Sequence, residues 1–179
     1  MIAGLLCIHR YLLQFGGRIP LLLCVIISCY NKTTEGNEEG KRVSQPEKKV
    51  TFTHPETMPK GFGYSHVVEA TGGRTIYISG QVSLNQEGQV VGEGDLAAQT
   101  KQVFENIKAA LEAVDSRFED VVKLTIFMTD ITQIPIVREV RDTYVNTLTP
   151  PASSAVEVSR LIKEEFLIEI EAIAVANAR

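Results

Sequence analysis

Leu167-Ile168-Glu169-Ile170-Glu171-Ala172-Ile173-Ala174, close to the end of a 179-residue chain, is the stretch from which the fold is read. Side chains alternate between two faces along a strand, so Ile168, Ile170, Ala172 and Ala174 share one face, with Leu167, Glu169, Glu171, Ile173 and Val175 on the other. The first face is wholly apolar and calls for a cover of helices. The second mixes large aliphatics with two carboxylates and is too apolar to be left wet. Packing against another copy explains it better than exposure does, so a homo-oligomer is expected.

Upstream segments supply the cover and the remaining strands. From Asp95 the apolar residues Leu96, Val103, Ile107, Ala110, Leu111 and Val114 recur at helical spacing, with Asp95 placed as the cap. Residues 121–129 alternate again, with Val122, Leu124, Ile126 and Met128 on the expected core face. Thr132 and Pro135 open a second helix carrying Ile136, Val137, Val140, Tyr144 and Leu148, which Pro150-Pro151 would stop. Earlier still, residues 65–70 and 74–79 are β-branched runs separated by Thr71-Gly72-Gly73, and the Gly-Gly pair predicts a tight hairpin between them. A short third strand is expected over 81–84, and two final strands near 154–160 and 167–176. The order strand, strand, strand, helix, strand, helix, strand, strand gives an α+β sandwich, one mixed sheet with both helices on one face.

Composition narrows the function. A formal charge of −4 offers no general field for phosphates, which makes nucleic acid a poor first guess. Cys7, Cys24 and Cys29 all lie in the first 29 residues, so the expected domain has no thiol with which to ligate zinc or attack a substrate. His9, His54 and His66 show no metal-ligand spacing, and no metal or cofactor is expected.

The front of the chain reads as an address. Arg10 and Arg18 precede the apolar run 19–27, which is too short to span a bilayer and suits the apolar region of an export signal. Ile26-Ile27-Ser28-Cys29 resembles a bacterial lipobox, which would make Cys29 a lipidated membrane anchor and the protein periplasmic. An internal start, for instance at Met58, would instead leave it cytoplasmic. The expected organisation is a signal and lipobox candidate at 1–29, a polar, disordered linker at 30–58 and one domain at 59–179.

Tyr77-Ile78-Ser79-Gly80-Gln81, Pro151-Ala152-Ser153-Ser154-Ala155-Val156-Glu157-Val158 and the 167–174 strand, in this order and spacing, resemble the Rid (reactive intermediate deaminase, YjgF-like) family over essentially all of 59–179. The resemblance implies the chorismate-mutase-like variant of this sandwich, three copies closing as a trimeric barrel with small-molecule clefts at the subunit boundaries. It also implies hydrolysis of enamines and 2-imino acids to 2-oxo acids and ammonia without a cofactor. Glu171 matches the family's cleft glutamate, Tyr64 its tyrosine and Gly80 the glycine whose backbone faces the ligand. The motif that reads Pro-Ala-Arg-Ser in active members is Pro151-Ala152-Ser153-Ser154 here, so Ser153 stands where the family's carboxylate-clamping arginine is implied. A hydroxyl gives one neutral hydrogen bond in place of a charged, two-pronged match, at a cost of about 2 to 4 kcal/mol.

Arg141, where the family pattern commonly has asparagine, either supplies the cation from another wall or is a solvated surface residue. Glu171 is the candidate for the water and proton work, in a setting that its aliphatic neighbours would keep partly dry. Alternatively, Glu171 and Glu169 pair across a subunit boundary and do no chemistry. Tyr64 closes the cleft or packs an interface, His66 reads as structural, and Glu157 is a weak lining candidate. Two functions compete: an imine or enamine deaminase with altered activity, and a non-catalytic trimeric binding protein. A ribonuclease reading, an old association of the family, meets the acidic balance as an objection.

Overall fold

The computed structural model describes residues 46–179. The expected export signal, Cys29 and the linker up to residue 45 lie outside the described residues. Six strands and two helices follow in the order β1 (Lys49–Thr53), β2 (Val67–Thr71), β3 (Arg74–Gln81), α1 (Leu96–Glu112), β4 (Val121–Met128), α2 (Ile134–Arg141), β5 (Ala152–Glu157) and β6 (Ile168–Ala176). Single 3-10 turns precede β4 and α2.

Four strands form one mixed sheet in the order β3-β6-β4-β5. β6 runs antiparallel to both β3 and β4, and α2 returns the chain so that β5 lies parallel to β4. The apolar side of β6 is buried as its alternation requires: Ile168, Ile170, Ala172 and Ala174 join Leu124, Ile126 and Met128 of β4 in one core with Val103, Phe104, Ile107 and Leu111 of α1 and Val137 of α2. The Asp95 carboxylate accepts from the Ala98 amide and caps α1. The α+β sandwich with both helices over one sheet face is thus the fold of this chain.

Several local expectations are corrected. Val121, not Val122, reaches the core, because a register shift between Val121 and Lys123 puts an extra residue into β4 opposite β6. Gly72 and Gly73 both take positive φ as the hairpin reading required, yet β2 and β3 do not pair. β3 pairs with β6, and β2 pairs with β1, from Lys49↔Thr71 to Thr53↔Val67. A turn brings strands close, but the partner offering the better packed ladder takes the hydrogen bonds. β1 comes from the stretch expected to be linker, so the ordered region begins ahead of residue 59. The expected third strand is absorbed as well: β3 runs on to Gln81, and Leu84 makes only an isolated bridge with Val90.

The second helix is shorter than expected and ends at Arg141. One more turn carries Tyr144 onto Phe104, stacked at 4.9 Å between ring centroids. The Asn146 side chain then accepts from the Leu148 and Thr149 amides, and the chain runs irregularly to Pro150. Leu148 is left 88% exposed rather than on the core face.

Candidate functional site

The uncovered face of the sheet carries Glu169 and Glu171 on β6, flanked by β3 and β4. Ile78 pairs with Ala172 and Gln81 with Ile170, so β3 fits one extra residue between these pairs, a bulge at Ser79-Gly80. The bulge sets the Gly80 backbone against the Glu169 carboxylate: a Cβ at residue 80 would lie 1.8 Å from Glu169 Oε1. Glycine is what allows this close approach.

Glu171 lies beside two grooves on the same face. One, of about 510 Å3, is lined by Phe127, Arg160, Ile162 and both carboxylates. The other, of about 250 Å3, lies over Tyr77, Ser79, Lys123, Thr125, Glu171 and Ile173. The partly dry setting expected for Glu171 is absent within one chain, because its side chain stands exposed on the uncovered face, whereas Glu169 is half-buried. Lys123 donates from Nζ to Ser154 Oγ at 2.7 Å, and burial holds its ammonium pKa below the usual lysine range.

The loop after β5 walls the larger groove and is fixed from below. Gln99, fully buried on α1, donates to the Glu165 carbonyl at 2.7 Å and accepts from the Leu167 amide at 2.9 Å. Phe166 is buried beside it. A polar residue in the first turn of a helix gave the sequence reading no sign of this anchoring role.

Tyr64, Arg141 and Ser153 lie elsewhere. Arg141 is not a solvated surface residue: it is 4% exposed, and its Nε and Nη2 donate to Asp142 Oδ1 at 2.9 and 2.6 Å. Its guanidinium packs on Gly63, where φ is +74° and a Cβ would come within 2.5 Å of Nη2. Tyr64 follows, edge-on to the His66 ring at 5.3 Å. Ser65 then ties the loop to the chain entering β5, its hydroxyl donating to the Pro150 carbonyl at 2.6 Å and its amide to Pro151 at 3.4 Å. Ser153 Oγ donates to the same Pro151 carbonyl at 3.4 Å. His66 bonds the Pro59 carbonyl at 2.7 Å, and Glu157 accepts from the Ile131 amide at 3.0 Å, structural roles for both.

One chain therefore holds two separate half-sites. β3 and β5 are opposite edges of the sheet, three interstrand steps apart, or roughly 14 Å. Ser153 pairs with Leu124, which pairs with Ala172, a register row on the helix-covered side, whereas Glu169 and Glu171 lie on the uncovered side. The structure brings Gly80 to Glu169, and through the neighbours of Tyr64 it brings Gly63 to Arg141 and Ser65 to the start of β5. It does not bring these groups together within a single protomer.

A bulged strand that presents a glycine to a carboxylate, on a four-stranded sheet with both helices on one face, defines an α+β sandwich of one class, and comparison with known proteins places it. The sequence profile of the family described as endoribonuclease L-PSP matches residues 57–176. A RutC family protein of Pyrococcus horikoshii is 43% identical over 128 residues, 71% of this chain and 97% of that protein. The 2-iminobutanoate/2-iminopropanoate deaminase of Escherichia coli is 41% identical over 106 residues, 58% of this chain and 80% of that enzyme. The crystal structure of YyfB from Yersinia pestis, a protein of unknown function in the conserved Rid family, superposes with a TM-score of 0.65 at 37% identity, covering 71% of this chain and 98% of that one. The chain belongs to the Rid/YjgF family, the endoribonuclease L-PSP family of the profile.

Proposed function

We propose that this protein hydrolyses small reactive 2-imino acids to 2-oxo acids and ammonia, at clefts formed between the copies of a homotrimer. The observation that carries the reading is the half-buried Glu169 carboxylate held against the Gly80 backbone in an open groove. The similarity to a deaminase of this type supports it. The separation of the two half-sites favours an assembly in which the uncovered face of one copy meets the β5 edge of the next.

The chemistry asks little of the protein. As a water oxygen bonds to the C=N carbon, a carboxylate takes a water proton and passes it to nitrogen, giving a carbinolamine; the same group then moves the hydroxyl proton to nitrogen, and as the C=O forms the C–N bond breaks and ammonia leaves. Either β6 carboxylate can be assigned this work. Glu171 is the residue marked by the sequence resemblance, whereas Glu169 has the half-buried position beside Gly80, and we assign the proton transfers to Glu169. Tyr64, Arg141 and Ser153 form the opposing wall, with Ser153 standing where active relatives are expected to have their arginine.

A second reading, a trimeric binding protein without turnover, is favoured by Ser153 and by the commitment of Arg141 to Asp142. Freshly generated 2-iminobutanoate and 2-iminopropanoate, followed with wild type and Ser153→Arg, separate the two. Accelerated decay with the wild type is expected, and decay only with the variant would establish the binding reading. The anchor at Cys29 is a separate proposal: a fatty-acid label retained by wild type and lost in Cys29→Ser is its expected signature.

A further inference from the structure

We propose that Arg160 is the substrate-carboxylate clamp of this protein, which makes the groove between β6 and the loop after β5 a site for small aliphatic 2-imino and 2-oxo acids. The inference rests on the deaminase reading and adds to it the residue that fixes substrate class. Three side-chain chemistries meet in that groove: the Arg160 guanidinium, the carboxylates of Glu169 and Glu171, and the apolar surfaces of Phe127 and Ile162. A 2-imino acid has three matching parts, namely a carboxylate, a basic nitrogen and a short alkyl group.

The two other groups considered for the clamp are already engaged. Arg141 is buried with two of its donors on Asp142, so binding a second carboxylate would mean disturbing that pair. Ser153 is neutral and belongs to the helix-side register row. Arg160 is exposed and, among the described residues, forms no ion pair. Its planar fork is free to take a carboxylate with two hydrogen bonds. Ile162, 85% exposed on the same loop, offers the alkyl group a surface to cover.

The test is calorimetric titration of the full chain with 2-oxobutanoate and with its neutral amide, 2-oxobutanamide. Arg160→Ala is expected to weaken 2-oxobutanoate about tenfold or more while leaving the amide unchanged, and Arg160→Lys to recover part of the loss. Arg117→Ala, which removes an exposed arginine outside the groove, reports any general effect of lost charge. Equal affinity of wild type and Arg160→Ala for 2-oxobutanoate would overturn the proposal, as would a loss that follows Arg141→Ala and spares Arg160→Ala, or no binding by the wild type. Wild-type imine turnover that persists undiminished in Arg160→Ala would sink the clamp and leave the deaminase reading standing. Arg160-dependent binding without turnover would do the reverse.

Discussion

The two faces of the four-stranded sheet are made by the same strands and have opposite fates. On the helix side, Leu124, Met128, Ile168, Ile170 and Ala174 are fully buried, and the face is finished within the chain. On the other side, Tyr77 is 78% exposed, Glu171 is exposed, and Lys123 and Glu169 are half-buried. An apolar stripe that finds its cover in its own chain contributes stability. A mixed face without cover keeps polar groups available for a ligand or a second copy, at the expense of leaving apolar area in water.

The largest effect that separates the faces is a cavity under α1. Phe104→Ala is expected to cost about 3–5 kcal/mol, because the side chain is fully buried and stacked on Tyr144. Tyr77→Ala, on the uncovered face, is expected to change the stability of the single chain by less than about 1 kcal/mol. On the proposed homotrimer its effect is expected in assembly, as a urea midpoint that becomes more dependent on protein concentration. Urea unfolding at two concentrations checks both, and equal, concentration-independent losses would erase the distinction between the faces.

A smaller effect concerns the clasp that holds the start of the domain. Lys48, just ahead of β1, pairs with Asp120, which also accepts from Ser116 Oγ and the Arg117 amide. Burial alone would raise the Asp120 pKa, but the Lys48 and Ser116 hydrogen bonds, the Arg117 amide and the lysine charge outweigh it and hold it below the usual carboxylate range. A carboxylate depressed in the folded state contributes its stability above the unfolded pKa, and that contribution is lost as pH falls through the lower folded value. Asp120→Asn should therefore lower Tm at pH 6, by about 1–3 kcal/mol in stability, and the gap to wild type should close below about pH 4. A gap that stays constant down to pH 2 would remove the clasp.

Gly80→Ala should be the mildest in stability and among the sharpest in function. The atom it would meet is the far end of the Glu169 side chain, which can swing away, so the change in stability is expected to stay within about 1 kcal/mol. On the proposed assignment of the proton transfers to Glu169, imine turnover is expected to fall at least about tenfold. Unaltered turnover would detach Glu169 from the chemistry.

What the sequence disclosed and what it withheld follow one physical line. α1 and β6 were legible because each buries a complete stripe, so periodicity alone marks them. β1 was not, because Lys48, Lys49 and the charged residues before them mask the short alternation of Val50 and Phe52, and its partner β2 had a nearer claimant in β3. The end of α2 at Arg141 was not legible either, because no proline or glycine follows it before Pro150. Arg141 read more readily as solvated, since its burial depends on a loop glycine almost eighty residues upstream. Glu169 and Glu171 share a strand face and could not be ranked by alternation; only the bulge at Ser79-Gly80 distinguishes them, and bulges leave little trace in a single sequence.

The decisive measurement is the rate at which freshly generated 2-iminobutanoate disappears with wild type, Glu169→Gln and Glu171→Gln at equal concentration. Wild type should accelerate the decay, Glu169→Gln should lose at least about a hundredfold of that acceleration, and Glu171→Gln should retain most of it. Full activity in Glu169→Gln would contradict the assignment of the carboxylate beside Gly80 as the group that moves the protons.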